Sequence, residues 1–239
     1  MHDEPTHLLR SELTSVARYA TVLRAVADGC TQWGEIVSHL PELGSGSQLA
    51  PYMARLEAPR LIEVSRSLDQ GERARNRRYQ LGDPFLAFWY HCVLPHRSAL
   101  EAGHVDWVYG QRIAPHLDRF LGGTFEGGCR SFVRRYGQEV FGVPAREVGL
   151  GSIWAAEYDL DVAATLLDGR VVFGACQWWE EPVGTDVLER LGQAAQQTRY
   201  GDGGGVRLAL FARRGFTPEV RGSGVTLVDL PMLYGRFPG

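Results

Sequence analysis

Asp159 and Asp161 stand two residues apart at the start of an apolar stretch. A tight Asp168-Gly169 turn follows, and then a second apolar stretch that ends Ala175-Cys176-Gln177-Trp178. Acids on one strand facing a short polar run on the next is the layout of a metal-dependent nuclease core. Such chemistry needs converging carboxylates to hold the ions and a cation to steady the transferred phosphoryl group. At the two positions that should supply a further acid and a lysine, the chain has Ala175 and Gln177.

The elements that must carry these residues follow from periodicity. Residues 146–155, 159–167 and 170–178 read as three strands joined by turns, and 184–199 as a helix with Thr185 as its cap. A glycine-rich loop at 201–205 leads to strands at 206–212 and 224–230. That loop lacks a Gly-Lys-Ser/Thr ending and precedes a strand, so it reads as a connection, not a phosphate cradle. Helices are expected at 107–121 and at 124–137, the latter with Phe125, Cys129, Phe132 and Val133 facing inward.

The N-terminal third has a different grain. Residues 15–28 and 32–40 are short amphipathic helices, and a third holds Leu49, Tyr52, Met53 and Leu56 on one face. Residues 61–81 read as strand, polar turn, strand. Three short helices and a two-stranded wing make a winged-helix domain. Arg66, Arg73, Arg75, Arg77 and Arg78 outnumber Asp69 and Glu72 in the wing by three charges. Gln48 and Arg55 should lie on the exposed side of the third helix. Gln48, Arg55, Arg73, Arg75, Arg77 and Arg78 are therefore the candidate DNA-binding residues, the helix for bases and the wing for phosphates. Asp83-Pro84 opens an aromatic helix that reads as glue between domains.

Composition narrows the classes. The chain has 239 residues, 44% hydrophobic and 22% charged, with a formal charge of −3, so any basic surface must be local. It contains no lysine, which excludes a P-loop for ATP and fits a GC-rich genome. No apolar run approaches the roughly 18 residues of a membrane span, and no signal-peptide core is present. Four scattered cysteines read as free thiols in a reducing cytoplasm. His91, Cys92 and His96 lack a second ligand cluster with matching spacing, so zinc is not expected there, nor with His104 and His116.

The stretches "YATVLRAVADG", "RYQLGDPFLAFWY", "FEGGCR" and "FGACQW" resemble the C-terminal half of the archaeal-type AAA ATPase family. That family joins a P-loop ATPase to a winged helix and a domain of unknown function with a PD-(D/E)xK nuclease-like fold. The resemblance implies an α+β chain with a winged helix and N-terminal extension at 1–82, a helical linker at 83–123, and a restriction-endonuclease-like mixed sheet at 124–239. It also implies an AAA ATPase domain as partner, either in trans or missing from this chain, since the ATPase half is absent here. The family's Glu-Cys-Lys-Trp reads Ala175-Cys176-Gln177-Trp178, and Glu126 matches a first-helix acid of such cores. Glu126, Asp159, Asp161, Ala175 and Gln177 are thus vestigial positions with no catalytic role. Glu126 and Asp161 are the candidates for one weakly held Mg²⁺, with Glu157 as a substitute acid. The expected function is a DNA-binding or regulatory module with an inactive nuclease-like domain. The alternatives are a metal-dependent nuclease with a rearranged site and a protein–protein scaffold.

Overall fold

A computed structural model describes residues 16–43, 45–68, 77–155, 158–201 and 204–236. It is a mixed α+β structure that divides into two compact units. One holds residues up to Ser65 together with Arg75–Leu117, the other Arg66–Ala74 with Asp118–Gly239.

The first unit begins with α1 (Val16–Ala27), α2 (Trp33–His39) and α3 (Gly46–Glu57), followed by a two-stranded sheet of β1 (Ile62–Arg66) and β2 (Arg77–Leu81). Helix α1 stops at Gly29, whose φ of 100° a side chain would resist. Helix α2 starts from a capping box in which the Glu35 carboxylate accepts the Thr31 and Gln32 N–H groups. Leu23, Ile36, Leu49, Met53, Leu56 and Ile62 are all buried in one core. Asp83 caps α4 (Pro84–Phe88) by accepting the Phe85 and Leu86 N–H groups. The chain then runs through a π-turn at Trp89–Val93 into α5 (Arg97–Glu101) and α6 (Val105–Val108), with a second π-turn at Tyr109–Ile113.

The second unit is a five-stranded sheet with helices on both faces. Its strands are β3 (Ala145–Trp154), β4 (Asp159–Leu166), β5 (Val171–Gln177), β6 (Val206–Ala212) and β7 (Thr226–Asp229), in that spatial order. The first two pairings are antiparallel and the last two parallel. The parallel β5–β6 step needs a crossover, and α8 (Thr185–Gln197) supplies it. Helix α8 covers one face, over Ala163, Phe173 and Leu210. The long helix α7 (Ala114–Phe141) covers the other, with Phe125, Cys129, Phe132 and Val133 against Val162, Val172 and Phe211. Short helices α9 (Pro218–Arg221) and α10 (Leu230–Leu233) bracket β7.

Three expectations are corrected. The helix anticipated at 124–137 does not begin at 124: it belongs to α7, which runs on from Ala114 and kinks at Tyr136 (φ −117°, ψ 16°), close to the expected end. Gly122 and Gly123 lie where the two expected helices part. Each glycine costs a helix only about 1 kcal/mol, and the apolar face packed on the sheet offsets that. Thr185 is not the cap of α8, because Gly184 holds the N-cap position and Thr185 is already helical. The last strand is shorter than 224–230, since Asp229 caps α10 by accepting the Met232 N–H at 3.0 Å.

Candidate functional site

The second unit gathers chemistry-bearing residues where β4 and β5 meet α7. Asp161 sits on β4 beside β5, which carries Ala175 and Gln177, as the sequence indicates. Pairing then becomes irregular. Between Gly151↔Ala163 and Ile153↔Leu160, β3 advances two residues while β4 advances three. The extra residue is a bulge at Asp161–Val162, and bulges re-aim side chains. Leu160 accordingly packs under α8, while Val162, two residues on, packs under α7.

Asp161 Oδ2 accepts the Cys176 backbone N–H at 2.7 Å. Its own carbonyl accepts from Arg130 Nη1 at 2.8 Å. The same Nη1 lies 3.8 Å from Glu126 Oε2, one helical turn earlier on α7. Arg130 is therefore a built-in cation between the two carboxylate-bearing residues, Glu126 and Asp161. Beside it the Cys176 thiol lies next to Cys129 in the α7 core layer. Burial pushes the Cys176 thiol well above its ordinary range, reinforced by Cys129 and by the Asp161 and Glu126 carboxylates. Cys176 is thus a neutral thiol and a poor nucleophile.

The remaining positions do not join this group. Ala175 packs on the α8 side and Cys176 on the α7 side. Strand alternation gives Gln177 the Ala175 face. Asp159 is exposed and pairs in register with Trp154. Glu157 lies outside the described residues. Among the described residues no group of three or more histidine, cysteine or acidic side chains could hold a metal ion. His91 instead lies 3.8 Å from Asp28, and His39 lies 3.9 Å from it.

Past the carboxyl ends of β5 and β6 lies a network that sequence reasoning missed. Asp118 accepts from Trp178 Nε1 and from Arg213 Nη1, both at 3.1 Å. Arg213 stacks on the Trp178 ring, 4.6 Å from its centroid, and pairs with Glu180 at 2.7 Å. Arg214 pairs with the other Glu180 oxygen. These partners are 33 to 95 residues apart, so no local pattern announces them. Arg130 was findable, because it follows Glu126 at the i, i+4 spacing that pairs charges on a helix.

In the first unit, Gln48 and Arg55 are exposed on α3, opposite buried Leu49, Met53 and Leu56. Arg77 is exposed and Arg78 half-buried on β2. Arg73 and Arg75 lie outside the described residues.

Among known proteins, a chain of the EndoMS–dsDNA2 complex aligns over 44% of this chain and 44% of its own, with 14% identity and a TM-score of 0.28, too loose a likeness to bear on this chain. No helix among the described residues is long and apolar enough to cross a membrane. An uncharacterized protein of Methanocaldococcus jannaschii, MJECL04, is 26% identical over 176 residues, which are 73% of this chain and 39% of that protein. The chain thus spans about two fifths of the length of this relative. Residues 89–189 match the DUF234 family of archaeal and bacterial proteins of unknown function.

Proposed function

We propose that the chain is a nucleic-acid-binding module without nuclease activity. Its first unit is read as a winged helix and its second as a PD-(D/E)xK-like domain whose metal site has been replaced. The observation that carries the reading is Arg130. A two-metal site needs converging carboxylates around a cation. Here a guanidinium stands beside Glu126 and holds the Asp161 carbonyl, and the Asp161 carboxylate is engaged by a backbone N–H. A resident Arg cannot activate water as a bound metal does, and it stays charged throughout the working pH range. Three helices before a two-stranded sheet support the winged-helix reading, as does an α3 that shows Gln48 and Arg55 outward. A mixed sheet between α7 and α8 supports the nuclease-like one. On this reading an AAA ATPase domain remains the proposed partner.

With Mg²⁺ or Mn²⁺ the protein should leave single- and double-stranded DNA uncut. Fluorescence anisotropy at several salt concentrations should show binding whose log affinity falls with log salt by roughly 0.9 per phosphate contact. Arg77→Ala should flatten that slope by about 1 and weaken all sequences alike. Metal-dependent cleavage abolished by Asp161→Ala would establish the rearranged nuclease instead. A protein scaffold is the second reading. It is favoured by Ser67 and Leu68, just past β1, whose polar groups are already engaged inside the second unit. It predicts no DNA binding at about 50 mM salt.

A further inference from the structure

The edge of the second unit holds a cavity that the preceding reading does not use. It lies where β7 ends, and its volume is about 400 Å³. Strand alternation puts Leu227 and Asp229 on one side of β7, toward the α8 layer, where Phe216 packs. Arg221, from the last turn of α9, and Arg236, just past α10, complete the polar lining. Met232, from α10, adds to the apolar lining.

The charges in this cavity are unbalanced. Arg221 Nε donates to the Phe216 carbonyl at 3.2 Å, which fixes the guanidinium and leaves its terminal nitrogens for another partner. The Arg236 backbone N–H is tied to the Pro231 carbonyl at 3.1 Å, so the turn after α10 brings its side chain back to the cavity. Among the described residues neither guanidinium has a carboxylate within 4.0 Å. Asp229 spends one oxygen on the Met232 N–H. Two cations and one anion leave a surplus of one positive charge. Arginine pairs bidentately with the oxygens of phosphate and carboxylate groups. In open sheets, ligands lie beyond the carboxyl ends of parallel strands, and β6 and β7 are such a pair. The apolar lining would bury a hydrocarbon body, and 400 Å³ suits a small molecule and not a polymer.

We propose that this cavity binds a small organic anion, with its phosphate or carboxylate between Arg221 and Arg236 and its apolar body against Phe216, Leu227 and Met232. The site is independent of the nucleic-acid reading, since none of its residues is a candidate DNA contact.

Isothermal titration of the full chain with phenyl phosphate and with benzoate tests this. Both probes carry the same ring, so the tighter one identifies the head group. The expected dissociation constant is on the order of 0.1–1 mM for the preferred probe, as ligands of this size allow. Arg221→Ala and Arg236→Ala should each weaken it by roughly ten- to a hundredfold, the worth of a charge-assisted hydrogen bond. Arg207→Ala, an exposed arginine on β6 outside the cavity, should leave it unchanged. Absence of saturable binding of either probe at roughly ten times that concentration overturns the proposal. So does binding that survives both cavity variants, or that Arg207→Ala weakens equally.

Discussion

Arg130 ties helix α7 to strand β4. Its side chain is mostly buried, and its Nη1 spans from a helix to a strand. The Glu126 contact is half-exposed and contributes little, but the bond to the Asp161 carbonyl is charge-assisted and sheltered. Arg130→Ala should therefore lower unfolding free energy by about 1.5–3 kcal/mol, read from urea denaturation. A loss below about 0.5 kcal/mol would mean the guanidinium is idle. Cys176 gives a pH signature. Its thiol is raised in the folded chain, so between the unfolded thiol value of about 8.5 and the folded value the unfolded chain binds fewer protons. Stability contributed by the buried thiol is full below about pH 8.5 and is lost as pH rises above it. Cys176→Ala should show a shallower decline between about pH 8.5 and 10.5 than the parent. Part of this group was legible: Asp161 and Cys176 are marked by residue type and spacing, and Glu126 by the family resemblance. Their mutual geometry was not, because a bulge changes which face a residue takes without changing the alternation written in the sequence.

Elements were legible where one face is apolar. The edges of α1, α2 and β6 follow their periodicity closely. Helix α7 was not read whole, since glycine pairs look like punctuation while the packing that overrides them comes from strands more than 20 residues later. The sheet order was likewise beyond local pattern, because parallel β5, β6 and β7 find each other across α8 and α9. Gly174 shows how tightly side chains pack on the α7-facing side of the sheet. A Cβ there would lie 2.8 Å from Phe211 Cε2 and 3.0 Å from Val162 Cβ. Both neighbours are fully buried core side chains with nowhere to retreat. Gly174→Ala should cost about 1–3 kcal/mol despite alanine's better fit to a strand, as thermal unfolding would show. A neutral or stabilising result would mean the layer is loose.

At the scale of the whole molecule, the two compact units do not follow chain order. Ser67 and Leu68, expected to lead into the tip of a wing, group with the sheet of the second unit. Leu68 N–H donates to Ser152 O at 3.2 Å, Arg199 donates to Leu68 O at 3.1 Å, and the Leu68 side chain packs where Gly151 leaves room for it. No sequence periodicity could reveal this, because a polar turn reads the same whether it meets water or a distant strand. Leu68→Ala should cost about 1–2 kcal/mol, a part-buried share of the usual leucine truncation. Hydrogen exchange should place the loss of protection in β3, with α1 unchanged. Uniform loss across both would contradict the assignment of this segment.

That borrowed segment also sets a schedule for synthesis. Ser67, whose hydroxyl accepts the Trp154 N–H, precedes its partner by 87 residues. At ribosomal speeds of about 5–20 residues per second, it waits roughly 4–17 s before the receiving strand exists. Through that interval the neighbouring helices can pack, while Leu68 and the arginine-rich stretch behind it stay open to chaperones, proteases and nascent neighbours. Slower translation between codons 68 and 154 would lengthen the exposure, so the yield of intact protein should respond to synonymous changes there that leave every residue the same.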